Sequence, residues 1–228
     1  ISREDQDAFA FRSHMKATAA RDAGRLAQEI IPVNIPRRKQ DDLIFEHDEF
    51  IKPDTTVEIL SKLRPAFRKE GGSVTAGNSS GLNDGSAALL LANESGLSSS
   101  GLTPLAQIIS TAVVGVEPRI MGIGPVRASE IALKRAGITF NDLDVIELNE
   151  AFSAQALACI RAWGLDDDDS RINPNGGGIS IGHPLGVTGS RILLAAAREL
   201  ERTGGKYGLV TLCIGVGQGY AVVIKNTQ

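Results

Sequence analysis

The sequence predicts a layered α/β fold, on three observations. Between residues 104 and 228, segments of strand and helix character alternate at short spacing, the pattern of helices packed on a sheet. Glycine reaches 25 residues while aromatics make up only 4%, so backbone must pass close to backbone or ligand at many places. The glycine-rich segments fall at strand–helix junctions, where the ligand crevice of an α/β sheet lies.

The elements follow in order. Ser2 and Asp5 approximate a capping box opening a helix over residues 2–23, with Phe9, Ser13, Ala17 and Ala20 near one face and Gly24 as its stop. Residues 29–36, Glu-Ile-Ile-Pro-Val-Asn-Ile-Pro, read as a short edge strand interrupted by prolines, followed by a charged turn of Arg37, Arg38 and Lys39 against Asp41 and Asp42. A short helix over 57–63, then Pro65 and a break at Gly71 and Gly72, complete an irregular, partly polar region ending near residue 80. Residues 84–93, rich in Ala and Leu, predict a compact buried helix. The apolar, β-branched run 105–116 predicts a central strand. Residues 129–136 form a helix closed by Gly137, and 143–148 a strand. Phe152, Ala156, Ile160 and Trp163 at helical spacing define a helix over 151–163, closed by Gly164. A helix over 191–203 packs through Ile192, Leu193, Ala196, Ala197 and Leu200. Strands over 208–214 and 220–225 flank a glycine-rich link. The chain shows no internal repeat and no low-complexity segment.

Composition narrows the class. A chain of 24.1 kDa with 42% hydrophobic and 22% charged residues is one large domain, or an ordinary one with a smaller companion. About 25,000 Å² is available for burial, enough for a core without disulfides or a structural metal. Lys and Arg total 24 against 27 Asp and Glu, a net charge of −3, which argues against a nucleic-acid binder. Cys159 and Cys213 are the only cysteines, and His14, His47 and His183 lie far apart, so neither a disulfide framework nor a metal site is expected. No stretch reaches the apolar length a bilayer requires, and no membrane partner is expected. The sequence opens at Ile1 with no initiator Met, signal or transit pattern; the expectation is the back portion of a longer, cytoplasmic protein.

Five segments concentrate residues able to do chemistry: 76–85 (Ala-Gly-Asn-Ser-Ser-Gly-Leu-Asn-Asp-Gly), 149–152 (Asn-Glu-Ala-Phe), 173–178 (Asn-Pro-Asn-Gly-Gly-Gly), 182–189 (Gly-His-Pro-Leu-Gly-Val-Thr-Gly) and 213–219 (Cys-Ile-Gly-Val-Gly-Gln-Gly). His183, on a stiff Gly-His-Pro turn, suits proton transfer near neutrality, or is a loop histidine bound to backbone. Cys213 alone reads as a small buried hydrophobe; followed by alternate glycines, it reads as a thiol beside exposed N–H groups. Asn149 is either an N-cap or a side-chain amide aimed into the crevice. The glycines at 215–219 join two strands and lack a following acidic residue, so they are not a dinucleotide loop. Thr188 and Ser190 sit in no nucleophile elbow. Residues 166–169, four consecutive acids, read as a solvated loop, and Cys159 as core.

With these segments in this order and spacing, the chain resembles the thiolases, acyl-CoA acetyltransferases that make or cleave 3-oxoacyl-CoA; the resemblance runs from the Ser2–Phe9 stretch to Ile224. It implies an acyltransferase with coenzyme A and acyl-CoA as substrates and no covalently bound cofactor. His183 would activate a nucleophilic cysteine and help bind the thioester oxygen. Asn149 would hold a water in that oxyanion hole, Cys213 would act as acid/base, and Gly215 would offer its N–H to a second hole. Ser80, Ala76, Phe67 and Phe152 would lie along the pantetheine, with Lys52 near the CoA phosphates. A Cys213 thiolate beside His183 and N–H dipoles is expected to have a pKa nearer neutrality.

The family fold is a five-layered αβαβα sandwich. The resemblance therefore divides the chain into a partial CoA-covering loop domain (1–82), a helix from the N-terminal half (83–103) and a complete C-terminal αβα half (104–228). Family members carry the nucleophilic cysteine in an earlier domain, which this chain lacks, so the chain alone is expected to be inactive and to leave an apolar face without its partner. The parent protein would be a homodimer or homotetramer. Residues 147–149, 173–175 and 215–219 look most like 3-oxoadipyl-CoA thiolases of aromatic catabolism and their broad-range relatives. A non-catalytic CoA-binding or assembly module is the alternative. A ketosynthase fits less well, since such relatives place a second histidine where Cys213 sits.

Overall fold

A computed structural model describes residues 1–228. The chain opens with α1 (Arg3–Asp22), capped as the sequence predicts: Asp5 N–H donates to Ser2 Oγ and Ser2 N–H to the Asp5 carboxylate. Gly24, at φ 72°, ends it. Then come β1 (Val33–Ile35), β2 (Leu43–Phe45), α2 (Val57–Ser61), α3 (Glu94–Ser100), β3 (Ala106–Gly115), α4 (Gly124–Ala136), β4 (Val145–Leu148), α5 (Ser153–Ala162), α6 (Gly178–Ile181), α7 (Leu185–Thr203), β5 (Tyr207–Ile214) and β6 (Gln218–Asn226).

β1 and β2 form an antiparallel ribbon. The main sheet has the order β3-β6-β5-β4, with β4 and β5 parallel and the other pairs antiparallel; Ile172 adds a parallel bridge beyond β4. Alternation along each strand fills two cores. Ile146, Leu148, Leu209, Ala221 and Val223 face α4 and α5, packing with Ala128, Ala132, Leu157 and Ile160. Val145, Val210, Val222 and Ile224 face the other way, onto Ile192, Ala196 and Leu200 of α7. Helices on both faces of a mixed sheet give the predicted αβα layering, and α1 lies against α2, α5 and α6.

Three expectations are corrected. Residues 84–93 form no helix and are mostly exposed; the helix is α3, which starts where the Asn93 side chain accepts from Gly96 N–H. A ten-residue helix is marginal without a packed face, and Leu90 and Leu91 remain in solvent. The 105–116 strand is an edge strand rather than a central one, with Ile108 and Val113 exposed on it. α7 begins six residues earlier than periodicity suggested, because Gly186 and Gly189 look like loop residues yet lie inside the helix.

The accessible surface is 12,529 Å², against about 10,000 Å² for a compact monomer of this mass. Large apolar residues are exposed on the ribbon segment (Ile31, Val33, Ile44), at Leu82, Leu90 and Leu91, and on the β3 edge. Apolar surface is thus exposed on these segments.

β6 runs against the start of α4 at backbone contact. A Cβ on Gly219 would stand 2.2 Å from the Gly124 carbonyl. Gly219→Ala is therefore expected to cost about 3 kcal/mol through overpacking, read as a lower urea midpoint. An unchanged midpoint would mean that the two backbones separate freely.

Candidate active site

The parallel pairing of β4 and β5 brings two predicted residues to one sheet edge. Leu148 pairs with Thr211, and Asn149 N–H donates to the Thr211 carbonyl at 3.0 Å. Cys213 stands two residues beyond Thr211, at the end of the same strand. α5 starts only at Ser153, with Phe152 at its cap, so Asn149 is no N-cap. Its side chain is buried, with Nδ2 lying 3.3 Å from His183 Nε2.

Asn149 is held from behind. Asn173 Nδ2 donates to the Leu148 carbonyl at 2.8 Å and to Glu150 at 2.7 Å, and Asn173 Oδ1 accepts from Leu148 N–H at 2.8 Å. Glu150 also accepts from Ser13 Oγ at 2.6 Å and from Ile179 N–H at 3.2 Å. The Glu of the Asn-Glu-Ala-Phe segment is thus a buried clamp joining β4, α1 and α6. Its three donors leave it structural work rather than chemistry.

His183 reaches Asn149 by a constrained turn. Gly182 adopts φ 100°, and a Cβ there would meet Asn83 Oδ1 at 2.4 Å, so glycine is required. His183 N–H donates to the Gly81 carbonyl at 3.0 Å. The ring Nδ1 lies 2.7 Å from Thr188 Oγ1, which itself donates to the Pro184 carbonyl at 3.2 Å. With the Thr188 hydrogen so used, Nδ1 must donate, which assigns the Nδ1–H tautomer. Nε2 then carries the lone pair and accepts from Asn149 Nδ2. Burial, reinforced by the positive charge of Arg191, pushes the His183 pKa below its ordinary value. The ring is a neutral imidazole whose basic nitrogen faces Asn149. Asn149 Oδ1 is buried without a partner, a spare acceptor beside it.

Cys213 corrects an expectation. Burial pushes its thiol up rather than toward neutrality. It ends a strand instead of opening a helix, and burial outweighs the backbone hydrogen bond that favours a thiolate there. At neutral pH it is a proton donor. Past it, Gly215 is exposed with open space above its Cα. Cys159 is core, its thiol pushed up to about 12 chiefly by burial. The 166–169 run is not simply solvated: Arg161 joins Asp167 to Asp5, and Asp169 pairs with Arg171.

The remaining predicted residues lie to one side of this edge. Ser80 donates to the Ala151 carbonyl through both N–H (3.0 Å) and Oγ (3.1 Å), and Ser79 bridges to Phe152. Phe67 and Phe152 meet edge to face with centroids 6.2 Å apart. Ala76 is exposed on the neighbouring turn. Lys52 Nζ lies 5.0 Å from the Phe50 ring centroid; that ring sits against Gly81, linking Lys52 to the His183 backbone. His47 is far out in solvent, and His14 is a buried acceptor for Lys52 N–H at 3.3 Å. No group of three or more His, Cys, Asp or Glu is placed to hold a metal, and no helix is long and apolar enough to cross a membrane.

Thr188, Asn173 and Ser13 have no role in the reading of the sequence. For Thr188 a signal existed: a hydroxyl in the first turn of a helix entered by His-Pro folds back on the ring. Thr188→Val is expected to remove the Nδ1 acceptor, costing about 1 kcal/mol and releasing the fixed tautomer. ¹⁵N shifts of the His183 ring read this directly; an unmoved Nδ1–H signal would refute the assignment.

The family model described as "Thiolase, C-terminal domain" matches residues 102–226, and that described as "Thiolase, N-terminal domain" matches residues 1–95. The chain is 52% identical over 226 residues to the 3-oxoadipyl-CoA/3-oxo-5,6-dehydrosuberyl-CoA thiolase of Escherichia coli (strain K12), covering 99% of this chain and 56% of that protein. It is 53% identical, with the same coverage, to the beta-ketoadipyl-CoA thiolase of Pseudomonas aeruginosa. Human mitochondrial 3-ketoacyl-CoA thiolase superposes with a TM-score of 0.95 at 46% identity, over 100% of this chain and 56% of that one. The chain therefore spans about half the length of these relatives.

Proposed function

Since the chain belongs to the thiolase family, we propose that it supplies the acid/base half of an acyl-CoA C-acyltransferase, working with a nucleophilic cysteine carried outside these residues. The observation that carries this reading is the neutral His183, with Nε2 open toward Asn149, at the sheet edge where Cys213 ends β5.

In thiolysis, His183 Nε2 takes the proton of the attacking cysteine thiol as its sulfur bonds to the 3-oxo carbon. The negative oxygen that forms is held by His183 N–H and by a water on Asn149; donors so placed are each worth about 3–4 kcal/mol. The bond between the α- and 3-carbons then breaks, and its electron pair goes to the acetyl-CoA enolate. Gly215 N–H steadies the enolate oxygen, and Cys213 Sγ–H delivers the proton to carbon. A CoA thiol returns a proton to the Cys213 thiolate and attacks the acyl-enzyme, freeing the shortened acyl-CoA, and the leaving cysteine sulfur takes back the proton held on His183 Nε2, which regenerates the nucleophile. Ser80, Ala76, Phe67 and Phe152 lie along the pantetheine, with Lys52 toward the phosphates. We assign the substrate class as 3-oxoadipyl-CoA, in line with the names of the relatives. The loop region up to about residue 82, the 83–103 link and the 104–228 layer are its parts. The exposed apolar faces pack on the N-terminal half of a cytoplasmic homodimer or homotetramer.

Neither cysteine here is a nucleophile poised for acyl transfer, Cys159 being core. The purified chain is expected to cleave no acetoacetyl-CoA with CoA. Joined behind the N-terminal portion of the E. coli relative, it is expected to turn over 3-oxoadipyl-CoA. Turnover by the chain alone, or none by a folded chimera, would overturn the proposal.

A further inference from the structure

The segment over residues 73–81 carries Ala76 and Ser80. It holds no helix and only an isolated bridge at Ser79, so side chains rather than a regular ladder set its place. Asn78 is fully buried within it, and its amide is saturated. Oδ1 accepts from Thr75 N–H at 2.8 Å, and Nδ2 donates to the Ser73 carbonyl at 3.0 Å and to the Asp7 carboxylate at 2.9 Å. The first two bonds are local, of the kind an Asn makes in many turns. The third crosses 71 residues of sequence to α1.

Asp7 is buried too, and its other oxygen accepts from Arg3 Nε at 2.7 Å. Arg3 Nη2 donates in turn to the carbonyls of Leu60, in α2, and Leu63, just past it. The Asn78 carbonyl accepts from the N–H of Ser153, the first residue of α5, at 2.9 Å. α1, α2 and α5 therefore meet at one side chain. A buried ionic network of this kind adds little net stability over an apolar one, but its bond directions admit a single arrangement.

We propose that Asn78, through its bond to Asp7, is a positioning residue for coenzyme A: it holds the 73–81 segment on α5 so that Ala76 and Ser80 meet the pantetheine arm. This rests on the placement of CoA given under the proposed function. The amide can face only one way, because turned over its oxygen would meet the Asp7 carboxylate and the Ser73 carbonyl. Asp7→Asn must then lose one of its two bonds, since its new amide donor faces either Arg3 or Asn78. The bond from the charged Arg3 is the stronger and is kept.

Calorimetric titration of the 228-residue chain with CoA tests this without turnover. Asn78→Ala is expected to weaken CoA binding about 10-fold, the size of one lost hydrogen bond to a charged group. Asp7→Asn keeps the shape and the local Asn78 bonds, and should weaken binding about threefold. In the chimera, KM for CoA should rise in the same order with kcat kept. With N-acetylcysteamine replacing CoA in both thioester and thiol, most of the pantetheine arm is gone and kcat/KM should not change. Equal losses with the two thiols would mean that the whole site loosens, and would overturn the proposal. So would an unchanged CoA affinity in Asp7→Asn, a reading that stands even if Asn78→Ala fails to fold. A wild-type chain that takes up no CoA would overturn the placement of CoA and the role of Asn78 with it. Titrations as expected beside an inactive chimera would fault the acyl-transfer reading alone.

Discussion

Cys213→Ala in the chimeric acyltransferase is expected to lower thiolysis at least 10³-fold. The reason is where the proton must go. In the proposed mechanism, breaking the carbon–carbon bond leaves an enolate, and Cys213, at the end of β5, is the group that delivers the proton to carbon. Burial keeps the Cys213 thiol protonated, which suits it to this step. A positioned general acid is worth about 10²–10⁴-fold, and here the same group must also take the proton of the incoming CoA thiol, so the loss lies at the upper end. The variant also separates two half-reactions. Proton exchange at the acetyl methyl of acetyl-CoA should vanish, while transfer of the acetyl group onto the nucleophilic cysteine continues, because His183 and Asn149 are untouched. Undiminished turnover would return Cys213 to the small buried hydrophobe it resembles in isolation and favour a non-catalytic module. Asn149→Ala should lose about 10²–10³-fold by contrast, since it removes one oxyanion contact and leaves both proton carriers in place.

The site was more legible in the sequence than the fold around it. His183, Asn149 and Cys213 announce themselves through their neighbours: Gly182 and Pro184 fix the histidine turn, Leu148 and Asn149 end a strand, and glycines follow the cysteine. Such local constraints survive in one dimension. What did not survive was anything set by distant packing. Residues 84–93 carry helix-forming Ala and Leu, yet their state depends on a surface that comes from elsewhere in the fold, and no element of this chain covers them. β3 is as apolar as a central strand, but strand order is a property of the whole sheet. The Cys213 thiol was misjudged for the same reason. Glycines suggested exposed dipoles, whereas the degree of burial that controls its proton depends on the covering α4 and α5 layer.

Glu147 should dominate the pH dependence of folding. It is fully buried on β4, two residues before Asn149, with Oε1 unpartnered, and burial raises its pKa from the ordinary 4.5 to about 8 despite the opposing Arg191 charge. Between those values the folded chain keeps a proton that the unfolded chain has released. Stability from this group is therefore complete below pH 4.5 and falls as pH rises toward 8, by about 1.4 kcal/mol per pH unit and at most about 5 kcal/mol in all. Glu29, raised to about 7, adds to the same slope. His14 acts at the other end. Burial lowers its pKa from 6.5 to about 4, so the unfolded state takes up the proton first and stability falls as pH drops through that window. In Glu147→Gln the amide stands in for the protonated carboxyl and cannot ionise. Urea unfolding at pH 5 and pH 8 should then show a clearly smaller loss than in wild type, with the His14 limb below pH 6.5 unchanged. Identical losses in the two proteins would mean that Glu147 is ionised in the fold and paired with Arg191.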